Sequence, residues 1–452
     1  MVVDGAIEGL RTVLKFGGSC LKSRADISAI ADRIRIFNPS PVVVVSAFFG
    51  VTDRLLDAIN DVRSHSFDRN SFLRWIRDHH YTLAPEILTS DSLPRFEEAL
   101  VNLDIALASL ANGEGDEVSV LVSGERLSSV CLEAALSSRG INVRAMWAED
   151  VPIRVKGRAP FIRMDLSRTS ESAHIPTDEI PLIAGWYGID QSENLATMSR
   201  GGSDCTATYV AAIIGAASVI IWRDVPGVLS LDPSWGMRGR RIPYLNYREA
   251  VEIASYSSRL LHPDAIEPLV ESGIPMIIRP LHQPEEPGTY VGPSISIGRP
   301  TVRVLVCHRR RFDLLWRLRS GGSLSSSLTG LGRLLHKQRI RIWSIRADPA
   351  GIRVLLDEAD LARVESSILG FDPEAEIQIG SPLALLSVFG EGISTDHHVR
   401  ETLLDSLMGL GIDAWELESQ EEGHAIHLLF NDEDAVTAVG RLTECFELLD
   451  AD

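Results

Sequence analysis

Four consecutive valines, Val42 to Val45 in PVVVVSA (residues 41–47), narrow the choice of fold more than any other stretch of the chain. A β-branched run without polar alternation has no solvent face. It suits a strand buried on both sides, as in a parallel sheet covered by helices. TVLKF at 12–16 reads the same way, and SRADISAIADRIRIF between them spaces Ile27, Ile30, Ala31 and Ile34 as one helical face. The result is a strand–helix–strand unit whose first strand ends in the turn Gly17-Gly18.

The alternation continues. Residues 52–112 read as mainly helical. EVSVLVS at 117–123 is expected as a strand running into a helix, GERLSSVCLEAALSSRG, that Gly140 closes. INVRAMWA is a strand, and the mixed, polar stretch 151–180 is expected as a loop or short excursion. IPLIAGWYG, ASVIIWRDVPGVLSLDP and IPMIIRP read as strands; SDCTATYVAAIIG, YREAVEIASYS and LHPDAIEPLVESG read as helices. This pattern predicts an α/β domain over a mostly parallel sheet. Near 285–300 the composition shifts to Pro and Gly, marking a boundary. Beyond it VRVLVC and FDLLWRL are expected as two strands, and the segments that follow make two rounds of β-α-β-β-α, ferredoxin-like units of roughly 70 residues.

A chain of 452 residues is expected to form two to four domains. Five cysteines, none spaced as CxxC, argue against a disulfide framework or a zinc site and suit a reducing, cytoplasmic setting. There is no apolar run long enough to cross a bilayer, and residues 1–12 lack a leader-peptide pattern. The formal charge of −18 argues against nucleic-acid binding. That charge is uneven: residues 301–346 hold eleven Arg or Lys against Asp313, while 391–452 hold sixteen acids against Arg400 and Arg441. The two segments either dock on each other, within or between chains, or form separately solvated faces.

Residues 196–212, ATMSRGGSDCTATYVAA, put Arg200, Gly201, Gly202, Ser203 and Asp204 at the mouth of a helix. Glycines allow close approach to a ligand, and a helix N-terminus favours an anion. A simple turn followed by an N-cap explains the same residues. Lys15 is one of only four lysines against forty arginines, and it stands at the end of a strand.

Six stretches occur in the order found in the aspartokinases of the amino-acid kinase superfamily: KFGGSC (15–20), VVSAFFGVTD (44–53), SGERLSS (123–129), SRGGSDCTA (199–207), WRDVPGVLSLDP (222–233) and SSRLLHP (257–263). The C-terminal pair resembles that family's tandem ACT domains, so the likeness covers about residues 12–450. It implies an amino-acid-kinase fold at 10–298, a first ACT unit at 310–380, and a second made of 301–308 plus 382–452 into which the first is inserted. The implied reaction moves the γ-phosphoryl group of ATP, with Mg2+, onto the side-chain carboxylate of L-aspartate. The implied assembly is a homodimer joined through ACT units, which bind an amino-acid effector.

The resemblance also implies roles. Lys15 meets the phosphates, Gly17, Gly18 and Ser19 cradle them, and Asp204 orients Lys15 and the metal. Arg200 holds the substrate's side-chain carboxylate, Glu125 its ammonium group, and Thr52, Trp186 and Ser203 line the same end. Arg223, Asp224, Gly227, Asp232 and Arg259 fall in the nucleotide half, which departs most from the pattern. Arg223 replaces a threonine, Ser234 an arginine and Arg259 a lysine; Arg223 or Arg238 is expected to supply the charge that position 234 lacks. Ser199 replaces a glycine, a change costing on the order of 1 kcal/mol if φ is positive there. Cys20 and Cys205 adjoin Ser19 and Asp204, where a thiol is either acidified and redox-sensitive or merely fills space. In the first ACT unit Pro349 and Gly351 replace the hydroxyls that bind lysine or threonine. A kinase for another acid such as glutamate, and a catalytically silent effector-binding subunit, remain alternatives.

Overall fold

The computed structural model describes residues 9–158, 162–172, 174–198, 201–257, 261–295, 300–318, 323–338, 340–417 and 423–450. Val42–Val45 are all fully buried, as their sequence demands. Each such side chain contributes roughly 1.5–3 kcal/mol of burial free energy. The described residues fall into two compact units, one within Met1–Val228 and Arg241–Ile295, the other within Leu229–Arg240 and Ser296–Asp452.

In the first unit the chain runs β1 (Thr12–Phe16), α1 (Arg24–Arg35), β2 (Val42–Val45), α2 (Val51–Arg63), α3 (Arg69–Leu83), α4 (Leu93–Ala111), α5 (Glu117–Ser137) and β3 (Val143–Met146). A short ribbon, β4 (Val155–Lys156) and β5 (Arg163–Met164), and α6 (Leu166–Ser172) follow. Then come β6 (Ile180–Ala184), β7 (Tyr187–Ile189), β8 (Leu195–Thr197), α7 (Gly202–Ile214) and β9 (Ser218–Arg223). The unit closes with β10 (Tyr244–Asn246), α8 (Tyr247–Tyr256), α9 (Glu267–Ser272), β11 (Met276–Pro280) and β12 (Thr289–Gly292). Eight strands form one sheet in the order β10-β12-β11-β9-β1-β2-β6-β3. Only the β11–β12 pair is antiparallel. Central β1 is flanked by β9 and β2, with Lys15 opposite Ile221 on one side and Val44 on the other.

Two expectations are corrected here. EVSVLVS is the first third of helix α5, not a strand. Asp116 caps it by accepting the Ser119 amide at 2.8 Å, and the helix is enclosed on nearly every side by the core. Its β-branched residues therefore reflect burial, not sheet pairing. Residues 151–180, expected as a loop or short excursion, hold regular elements, the β4–β5 ribbon and α6.

The second unit runs β13 (Val304–Arg317), α10 (Leu324–Gln338), β14 (Ile342–Asp348), β15 (Gly351–Asp357), α11 (Leu361–Phe371), β16 (Glu376–Ile379), β17 (Leu383–Phe389), α12 (His397–Met408), β18 (Trp415–Glu416), β19 (Ala425–Asn431) and α13 (Ala435–Cys445). Its sheet has the order β14-β15-β13-β17-β19-β18, with β16 added to β13. The two strands expected at 302–318 are one strand. The Val304–His308 part of β13 pairs with β17, and Arg311–Arg317 pairs with β15, with β16 alongside Leu314–Arg317. An irregularity between His308 and Arg311 joins the two parts; there Arg310 has φ 57° and Asp432 accepts its amide at 2.6 Å while pairing with Arg309. Among the described residues no helix is long and apolar enough to cross a membrane.

Candidate active site

Sheet order places the site. Ligands in open α/β sheets bind beyond the C-terminal ends of strands, where the connections diverge. β9, β1, β2 and β6 are consecutive in the sheet. Arg223 ends β9, Lys15 lies one residue from the end of β1, Ser46 follows β2, and Trp186 follows β6. Helix α7 adds its N-terminus. These residues line one cavity of about 440 Å³, together with Gly18, Ser19, Thr52, Glu125, Ser203 and Asp204. Ser46, Ala47, Phe48, Phe49, Gly50, Asp53 and His262 also line it, although sequence reasoning assigned them no role. Their signal lay inside the quoted stretches VVSAFFGVTD and SSRLLHP.

Gly201 and Gly202 open α7 for two reasons. Gly201 has φ +79°, and a Cβ there would meet His262 Cβ at 2.7 Å. A Cβ on Gly202 would meet Trp186 Cδ1 at 2.5 Å. Trp186 is itself held at φ 77°, with its indole N–H donating to the Met198 carbonyl at 2.9 Å.

Asp204 sits in the first turn of α7, where the helix dipole favours its charge. Lys15 Nζ lies 2.6 Å from Oδ1, and Arg223 Nη2 lies 2.6 Å from Oδ2. Burial alone would raise the Asp204 pKa; Arg223 and Lys15 outweigh it and hold the carboxyl below its ordinary value. Glu125, on α5, is the opposite case. Burial lifts it to about 8, against the Ala47 amide and the charge of Lys15, which favour ionisation. Its Oε1 accepts the Ala47 amide at 3.4 Å while Oε2 has no hydrogen-bond partner among the described residues. An unpartnered, buried carboxylate oxygen at a cavity wall is suited to a cationic ligand group.

The other residues singled out in the sequence lie around or away from this cluster. Asp224 pairs with Lys22 at 2.8 Å beside the cavity residue Ser19. Gly17 precedes the cavity residue Gly18, and Gly227 has φ +136° against Thr289. Asp232 accepts the Ser234 amide and belongs to the second unit, as does Arg238, which pairs with Asp450. Arg200, Ser199 and Arg259 lie outside the described residues.

The idea of an acidified, redox-sensitive thiol is overturned. Cys20 is 1% exposed and its thiol bonds the Trp222 carbonyl; burial pushes its pKa up to about 11. Burial likewise raises Cys205. Both fill space.

The sequence profile described as "Amino acid kinase family" matches residues 10–280, more than half of the chain. The protein belongs to the amino acid kinase family. Within that family it is similar to Aspartokinase 1, chloroplastic, of Arabidopsis thaliana, with 29% identity over 319 residues, 67% of this chain and 55% of the relative. In that alignment the chain spans about half of the relative's length. It is 24% identical to the Aspartokinase of Rickettsia felis over 450 residues, 96% of this chain and 99% of the relative. The crystal structure of E. coli aspartokinase III in complex with aspartate and ADP shares the fold, with TM-score 0.80 and 22% identity over 97% of this chain and 100% of that one.

Proposed function

We infer that the protein is an aspartate kinase, which uses ATP to phosphorylate the side-chain carboxylate of L-aspartate, giving 4-phospho-L-aspartate and ADP. The observation that carries this reading is the pairing, across one cavity, of the Lys15–Asp204–Arg223 cluster with the half-partnered Glu125. One end is built for phosphates and the other for an ammonium group. The similarity to aspartokinases over almost the full chain supports it.

The acceptor carboxylate is ionised at neutral pH, so the reaction needs no general base. One substrate carboxylate oxygen bonds to the γ-phosphorus as the bond to the ADP oxygen breaks. The barrier is that of bringing an anion against a triphosphate, and catalysis is positioning and charge neutralisation. Lys15 and Arg223 supply positive charge, Asp204 holds both in place, and Gly17, Gly18 and Ser19 give the phosphates a backbone cradle. Asp224, Gly227 and Arg259 complete the nucleotide side in this reading. Glu125 takes the substrate ammonium, Arg200 its side-chain carboxylate, and Thr52, Trp186 and Ser203 shape that end. Among the described residues no cluster of three metal-binding side chains occurs, and both Asp204 oxygens are engaged. Mg2+ would come with ATP and supply positive charge beside its phosphates.

Residues 10–298 form the catalytic domain in this reading, and 310–380 form an ACT unit inserted into another made of 301–308 plus 382–452. The split pairing of β13 supports that division. The ACT units bind an amino-acid effector and join a homodimer. The direct test is aspartyl hydroxamate formation with ATP, Mg2+ and hydroxylamine, offering aspartate and glutamate in parallel to wild type and Lys15→Ala. Turnover of aspartate alone, lost in Lys15→Ala, is expected. Preference for glutamate would reassign the substrate, and turnover of neither acid would make the chain a silent subunit.

A further inference from the structure

The loop between β2 and α2, residues 46–50, walls the cavity on the Glu125 side, and four of its five backbone N–H groups have identified acceptors. Ser46 donates to the Phe16 carbonyl at 3.2 Å and Phe49 to the Leu21 carbonyl at 3.1 Å. The other two go to side chains of one helix: Ala47 to Glu125 Oε1 at 3.4 Å and Phe48 to Ser128 Oγ at 2.8 Å. Glu125 and Ser128 are three residues apart on α5 and so share a face. Gly124 beside them lets the helix approach: a Cβ there would stand 3.2 Å from Ala47 Cβ and 3.0 Å from Leu55 Cδ1.

Ser128 is backed in turn by His80 of α3, which is completely buried. His80 Nδ1 lies 2.7 Å from the Ile76 carbonyl, which can only accept, so Nδ1 carries the proton. That leaves Nε2 as an acceptor 3.3 Å from Ser128 Oγ. The serine hydroxyl donates to it, and its lone pair then faces the Phe48 amide. Burial keeps the ring neutral, with its pKa down to about 4, as this arrangement requires.

We propose that Ser128 and His80 are positioning residues for the aspartate end of the site: they fix the Ser46–Gly50 loop through the Phe48 amide and so leave Glu125 free for the substrate. Without the Ser128 oxygen, Phe48 N–H is a buried donor in search of an acceptor. The carboxylate one turn away, already reaching Ala47, is drawn to the loop and away from the ammonium group. Thr52, in the first turn of α2 behind Gly50, shifts with the loop. The inference rests on the aspartate-kinase reading for its substrate and on the hydrogen bonds alone for its geometry.

The test uses Ser128→Ala, His80→Leu and His80→Gln, the last keeping a neutral acceptor near the Nε2 position. KM for aspartate is expected to rise about tenfold in Ser128→Ala, the worth of one buried hydrogen bond, while KM for ATP stays within about twofold. His80→Leu should move in the same direction and His80→Gln should recover most of the loss. Hydrogen exchange followed by mass spectrometry gives a second readout: peptides covering 46–50 should exchange faster in Ser128→Ala and His80→Leu, with β2 unchanged. Folded variants with a lower Tm but wild-type KM and wild-type loop exchange would overturn the proposal. If His80→Leu does not fold, Ser128→Ala decides. If wild type turns over no aspartate, the functional reading fails, and loop exchange alone decides whether the relay holds the loop.

Discussion

Arg223 Nη2 lies 2.6 Å from Asp204 Oδ2, on the carboxylate oxygen that Lys15 leaves open. One buried anion thus gathers two cations from neighbouring strands, and the cluster keeps a net positive charge. A chain with threonine at this position would have only the lysine. In the proposed reading Arg223 is a second charge for the phosphates.

Arg223→Ala should raise KM for ATP roughly 10- to 100-fold, the range for one charge-assisted hydrogen bond, with a smaller effect on KM for aspartate. Arg223→Lys should recover only part, because an ammonium cannot reproduce the planar fork. Steady-state kinetics with each substrate varied would decide. An unchanged KM for ATP would reduce Arg223 to a neutraliser of Asp204.

Asp204→Asn separates binding from turnover. It removes the anion that aims Lys15 and Arg223 but leaves both charges, so kcat should fall by about 100-fold or more, the scale of a lost electrostatic preorganisation. ATP affinity, measured by calorimetry, should hold or increase. Parallel losses in affinity and kcat would show that Asp204 acts in ground-state binding instead.

Glu125 sets a pH dependence. Its carboxyl is lifted to about 8 by burial, so the free enzyme holds that proton at neutral pH and must release it to pair with an ammonium group. KM for aspartate should therefore fall about tenfold per unit as pH rises from 6 towards 8, then level. For stability the sign is opposite. The unfolded chain ionises Glu125 at an ordinary carboxylate pKa and the folded chain resists, so its contribution falls as pH rises through that window. Glu125→Gln should flatten the KM profile at a high value and gain Tm over wild type more at pH 8 than at pH 6.

The thiols should be quiet. Cys20, Cys131 and Cys205 are buried, and burial raises the pKa of each. Titration of native protein with a thiol reagent should label at most Cys307 and Cys445 quickly, without loss of activity. Rapid loss on modification of Cys20, prevented by ATP, would contradict the structure.

Local features were readable and long-range ones were not. The valine run and TVLKF announced buried parallel strands because no other element tolerates them. The family stretches announced Lys15, Glu125 and Asp204 as a set. EVSVLVS misled because a helix buried all round loses its helical period, and its β-branched residues then imitate a strand. The cap that would have exposed it, Asp116 with Ser119, went unread. The Arg223–Asp204 bond joins two elements across the sheet, and His80 reaches the site through Ser128 and by stacking on Phe48. No spacing rule encodes such contacts.

Strand β13 serves both halves of its sheet, and this makes them a single heritable piece. A chain ending near residue 380 would lose β17, leaving Val304 and Leu305, otherwise 3% and 0% exposed, beside a bare row of backbone donors and acceptors. Removing 310–380 instead would cut the strand at the turn that Asp432 secures. Neither half is a cassette that recombination could lift out intact.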